Sequence, residues 1–83
     1  MKVSAAGNTE VPAYLVLKDI ATDIEVVDDE DKTQTWKVKV KGVLFSGASP
    51  LEVLGLVKMY ETRGNEWHAS DLEIEDFVKN FNS

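Results

Sequence analysis

Cysteine is absent from this 83-residue chain, which removes disulfide staples, thiolate zinc sites and cysteine nucleophiles together. That composition fits a reducing compartment. No apolar run approaches the roughly 20 residues that span a bilayer. The start, Met1-Lys2-Val3-Ser4-Ala5-Ala6-Gly7, has one basic residue and no stretch of signal-peptide length. The expectation is a soluble, cytoplasmic protein that does not engage a membrane. Basic residues are also scarce, nine against fifteen acidic ones, for a formal net charge of −6. Such a chain is repelled by nucleic acid and anionic lipid unless its positive charge is segregated, so charge favours partners with basic surfaces. No Gly-rich phosphate loop, metal-ligand spacing, internal repeat or low-complexity segment is present, and no cofactor is expected.

What is present is organised. The hydrophobic fraction is 43% and falls into periodic blocks, so one small globular domain is expected. Residues 1–8 read as a flexible lead-in and residues 9–83 as the domain. Two helix-start signatures of the same form dominate the last third, Ser49-Pro50-Leu51-Glu52 and Ser70-Asp71-Leu72-Glu73. In each, the Ser hydroxyl can accept from the N–H three residues on, and the Glu can reach back to the Ser N–H. Pro50 falls at the first helical position, where a missing N–H costs nothing. Gly64 stands where a left-handed helix stop belongs.

From Thr9 to Asp23, the apolar residues Ala13, Val16, Leu17, Ile20 and Ala21 recur at spacings of three and four, which predicts a helix. Asn8 or Thr9 would cap it. The competing reading is a strand through 13–18, because Tyr14-Leu15-Val16-Leu17 is unbroken. Ile24–Val27 then reads as a strand, Asp28-Asp29-Glu30-Asp31 as a turn, and Thr33–Lys41 alternates as a second strand. Gly42 supplies the positive φ of a two-residue turn into a short third strand, Val43–Phe45.

Charge and apolar matching propose the registers. Val26 opposite Trp36 places Glu25 against Lys37 and Asp23 against Lys39, and Val40 opposite Val43 places Val38 against Phe45. One sheet face is then Ile24, Val26, Trp36, Val38, Val40, Val43 and Phe45, and helices must cover it. The second helix, 50–63, offers Val53, Leu56, Val57 and Tyr60. The third, 71–81, offers Ile74, Phe77, Val78 and Phe81. The predicted fold is α+β, a three-stranded antiparallel meander covered on one face by helices, in the order α-β-β-β-α-α.

Each candidate site has an ordinary structural reading beside it. Lys37, Lys39 and Lys41 form the one organised positive stripe and could track a phosphate backbone. The register instead pairs two of them with carboxylates, and no exposed aromatic interleaves them, so nucleic acid is disfavoured. The acidic tip Asp28, Asp29, Glu30 and Asp31 lacks the ligand spacing and mid-loop Gly of a calcium loop. It suits hydration or the steering of a basic partner. His68, the only histidine, could join Glu66 and Asp71 in an acid–base cluster, but no nucleophile stands beside them, and a packing or capping role is preferred. Trp67 either lids the small core or anchors an interface, with Arg63 nearby in both cases. Leu54 and Met59 fall off the core stripe of the second helix, which is apolar round most of its circumference. That helix is either central or faces a second chain.

The functional expectation is a small, acidic, non-enzymatic interaction protein, monomer or homodimer, that occludes a macromolecular partner. Inhibitors, immunity proteins and antitoxins exemplify the class. Partner binding is assigned to Leu54, Met59, Arg63, Trp67 and the tip Asp28, Asp29, Glu30 and Asp31. The alternatives are a nucleic-acid module on the Lys37/Lys39/Lys41 face and a homo-oligomer assembled through the second helix.

Overall fold

The computed structural model describes residues 1–81; the last two residues of the expected domain lie outside the described residues. Helix α1 runs Glu10–Ile20, so the three-and-four spacing prevails over the strand reading of 13–18. Asn8 Oδ1 accepts from the Val11 N–H at 3.3 Å, while Thr9 contributes its carbonyl, to Ala13, rather than a side-chain cap. The helix stops short of the expected Asp23. Ala21 is already extended, at φ −85° and ψ 147°, and the Thr22 N–H donates to Lys39 O at 2.8 Å. Sheet pairing claims these residues before helix propagation can.

Strands β1 (Asp23–Asp28), β2 (Gln34–Val40) and β3 (Val43–Gly47) form one antiparallel meander in the order β1-β2-β3. The registers are those that the residue pattern proposes. Val26 faces Trp36, Glu25 faces Lys37, Asp23 faces Lys39, Val38 faces Phe45, and Val40 faces Val43. Two adjacent positive φ angles, 50° at Lys41 and 81° at Gly42, match the right-handed twist of the strands they join.

Helix α2 (Pro50–Arg63) starts on Ser49, whose Oγ accepts from the Glu52 N–H at 3.1 Å. The Glu52 carboxylate reaches one residue beyond the expected Ser49, to the Ala48 N–H at 3.2 Å. At the other end Gly64 does have positive φ, 79°, but its ψ of −156° lies outside the left-handed helical well. The chain passes from there into a single 3-10 turn, Gly64–Glu66. Leu17, Val38, Val40, Phe45, Val53 and Val57 make the core. Helix α2 packs against α1 and against both β2 and β3. Its broad apolar circumference is therefore that of a central helix.

Helix α3 (Asp71–Phe81) has the complete reciprocal cap: the Glu73 N–H donates to Ser70 Oγ at 3.2 Å, and the Ser70 N–H donates to Glu73 Oε1 at 2.9 Å. Its apolar stripe corrects the expectation. Ile74, Phe77, Val78 and Phe81 do not cover the sheet; Phe77 is 57% and Phe81 74% exposed, and α3 has no buried residue among those described. The reason is width. Three strands about 4.8 Å apart give a narrow face, and two helices spaced 8–10 Å apart take up most of its width. Coverage is incomplete at the other end of the sheet as well, where Val26 is exposed and Trp36 is half-buried under the edge of Tyr14.

Candidate functional site

The connector between α2 and α3 is tied down by one side chain. Arg63 Nε donates to the Trp67 carbonyl at 3.0 Å, and an Arg63 terminal nitrogen donates to both Glu73 oxygens, at 3.0 and 3.1 Å. A guanidinium can do this because its donors form a rigid fork. Arg63 thus fixes the backbone of Trp67 and the first turn of α3 together. The Trp67 ring is half-buried and stacks on His68, with centroids 3.8 Å apart and planes at 27°. Stacking is a packing role for the single histidine.

Beside Trp67 a cleft of about 310 Å³ opens between β3 and α2, walled by Leu44, Phe45, Leu56, Tyr60 and Asn65. Tyr60 holds its floor. The ring meets Phe45 edge-on at 5.6 Å, and the hydroxyl donates to Asn65 Oδ1 at 3.1 Å. Leu44 is exposed and stands on the rim. The arrangement is a hollow of mixed character, apolar at Phe45 and Leu56 and polar at Ser46 and Asn65, with an indole at its edge. Among the described residues, no three His, Asp or Glu side chains come together to hold a metal ion.

The other expected partner-binding residues are dispersed. Met59 is 40% exposed and lies one turn before Arg63 on the same side of α2. Leu54 lies elsewhere: it is half-buried against the core and borders an apolar groove with Pro12, Val16 and Leu51. The tip Asp28–Asp31 is at the end of β2 remote from the β2–β3 turn, and seven extended residues span roughly 20 Å.

Most of the tip's carboxylates are engaged in its own folding. Asp31 Oδ1 accepts from Thr33 Oγ1 at 2.6 Å and from the Thr33 N–H at 3.3 Å, and Asp29 Oδ2 accepts from Thr35 Oγ1 at 3.0 Å. Thr33 Oγ1 is also 3.2 Å from Asp29 Oδ2, but one hydroxyl has one proton, and the shorter contact takes it. These bonds, the side-chain hydroxyl foremost, hold the Asp31 carboxyl below its ordinary range. Lys37 and Lys39 face Glu25 and Asp23 across the β1–β2 ladder.

Glu73 is the other carboxyl moved downward, chiefly by the Ser70 N–H and then by Arg63 and the Ser70 hydroxyl. Because its folded pKa is depressed, its contribution is present above the unfolded value and is lost as pH falls through the folded one. We expect the Ser70 amide resonance to titrate below the usual glutamate range. In Glu73→Gln that titration disappears and the first turn of α3 loosens at every pH, which amide NMR reads directly.

The chain matches no protein-family model, no curated protein and no solved structure. No helix among the described residues is long and apolar enough to cross a membrane. The sequence singles out Trp67 and Arg63 but misses the walls Leu44, Phe45, Leu56 and Tyr60. The β2–β3 register that puts Leu44 on the rim was available from the residue pattern. The height of α2 above β3, which opens the cleft, has no sequence signature.

Proposed function

We propose that this protein is a non-enzymatic protein-interaction domain that works by occluding a macromolecular partner. The observation that carries the reading is Trp67. It is half-exposed, stacked on His68, fixed through its carbonyl by Arg63, and set at the edge of a partly apolar cleft. Rigid aromatic anchors beside small apolar pockets supply most of the energy at protein interfaces. Arg63 and Leu44 lie beside it, and the exposed Met59 stands one turn before Arg63 on α2. The acidic tip and the net charge of −6 support long-range attraction of a partner with a basic surface, acting on association rate rather than on contact energy.

The test uses the purified protein and Trp67→Ala as parallel baits in native lysate, followed by titration of the captured protein against each. Trp67→Ala is expected to weaken binding about thirtyfold or more, while costing under about 1 kcal/mol of folding stability in urea, since Trp67 lies outside the buried core. Equal loss of fold and binding would make Trp67 a lid on the core and remove the reading. Capture of nucleic acid, abolished by reversing Lys37 and Lys39, would replace it with the lysine-face alternative.

A further inference from the structure

Strand β1 is an edge of the sheet, and the element it packs against is β2. Just beyond the ladder, the Asp29 N–H donates to the Thr33 carbonyl at 2.8 Å. Antiparallel partners alternate between bonded and non-bonded pairs. Val27, Glu25 and Asp23 therefore turn their backbone groups towards β2, and Asp28, Val26 and Ile24 turn theirs outward. Among the described residues, no backbone partner meets these outward N–H and C=O groups. The helices leave the same edge bare on its apolar side, where Val26 is 40% exposed and Trp36 opposite it is half-buried.

Charge selects what can pair there. The hairpin Asp23–Val40 carries six carboxylates against Lys32, Lys37 and Lys39, a net charge of −3. Asp28 faces the neutral Gln34 and has no lysine opposite. A second copy is a poor occupant. Antiparallel pairing of two β1 strands about Val26 would set Asp23 against Asp29 and Ile24 against Asp28, and like charges directly opposite are destabilising.

We propose that β1 receives a fourth strand, an extended segment of another protein with basic residues at alternate positions and apolar residues between them. Basic side chains opposite Asp23 and Glu25 would lie on the face of Lys37 and Lys39, so each carboxylate is flanked by a cation on both sides. An apolar side chain opposite Val26 covers it and extends the sheet face that the helices leave open. Main-chain bonds to Ile24, Val26 and Asp28 supply the affinity, and the alternate side chains supply the selection. The inner edge of β1 already accepts this pattern from β2, where Lys37 and Lys39 face Glu25 and Asp23. The cleft beside Trp67 borders β3, the opposite edge of the sheet, so the inference stands apart from the Trp67 reading.

The probe is a capped synthetic peptide with the sequence of residues 33–41, which carries the required pattern, titrated into the isotope-labelled full chain and followed by amide NMR. The amides of Ile24, Val26 and Asp28 are expected to shift and to exchange more slowly with solvent. A control peptide with its three lysines replaced by Glu should bind at least about tenfold more weakly. Val26→Pro removes one outward N–H and spares the ladder to β2, and it should abolish the shifts while the β2 and β3 resonances report a folded sheet. No shift at millimolar peptide, equal binding of the acidic control, or undiminished binding to Val26→Pro overturns the proposal. Shifts centred on Leu44 and Ser46 also overturn it, in favour of the β3 edge. No captured protein enters these measurements, so their failure would leave the lysate experiment standing.

Discussion

Leu17→Ala should cost roughly 2–5 kcal/mol in a urea titration, close to the whole stability of a domain this small. Leu17 is 0% exposed and is the residue of α1 that enters the core cluster with Val38, Val53 and Val57. Removing its isobutyl group leaves a cavity between α1, α2 and the sheet, and three facing valines are too short and stiff to collapse into it. The matching control is Phe81→Ala, a larger truncation on α3. It should change the unfolding free energy by less than about 0.5 kcal/mol, because Phe81 is 74% exposed and lies outside the core cluster. Similar losses in the two variants would mean that α3 packs on the core.

The second large effect is expected at Gly64. Its φ of 79° with ψ of −156° belongs to a region open in practice only to glycine, and a Cβ there costs about 1–3 kcal/mol. Space is not the obstacle, since a Cβ built on Gly64 meets nothing within 4 Å. The cost is therefore purely conformational. Gly64→Ala should reach the site as well as stability, because Gly64 sets the path from Tyr60, which accepts its N–H, to Trp67. We expect partner affinity to fall in Gly64→Ala while the amide resonances of β1 and β2 stay in place. Gly42→Ala, strained by a φ of 81° at the hairpin turn, should lower stability and leave the Trp67 resonances unmoved.

How far the residues alone specify this molecule differs by element. Both sheet registers were legible, because Glu25 and Asp23 find Lys37 and Lys39 only in the observed alignment and a one-residue slip would turn Val38 to solvent. The limits of α2 and α3 were legible from Ser49, Pro50 and Ser70. The fate of α3 was not. Period-3.6 spacing of Ile74, Phe77, Val78 and Phe81 states that a helix has a sticky side and is silent on what meets it. The same holds at the site. Trp67 and Arg63 could be named, but the fork from Arg63 to Trp67 O and Glu73 joins residues up to ten positions apart, across a turn whose shape depends on one glycine. Leu54 and Met59 look alike by the helical count, and only the placement of α1 separates a half-buried seam residue from an exposed one.

The central claim is that Trp67 and its cleft bind a partner while the α1–α2–sheet core acts as a scaffold. Hydrogen–deuterium exchange of the full chain, alone and with the captured protein, tests it most directly. The account predicts protection gained over Gly64–Ser70 and at Leu44, with Leu17, Val38 and Val57 protected equally in both states. Protection gained along Lys37–Lys41 alone, with the Trp67 connector unchanged, would contradict it.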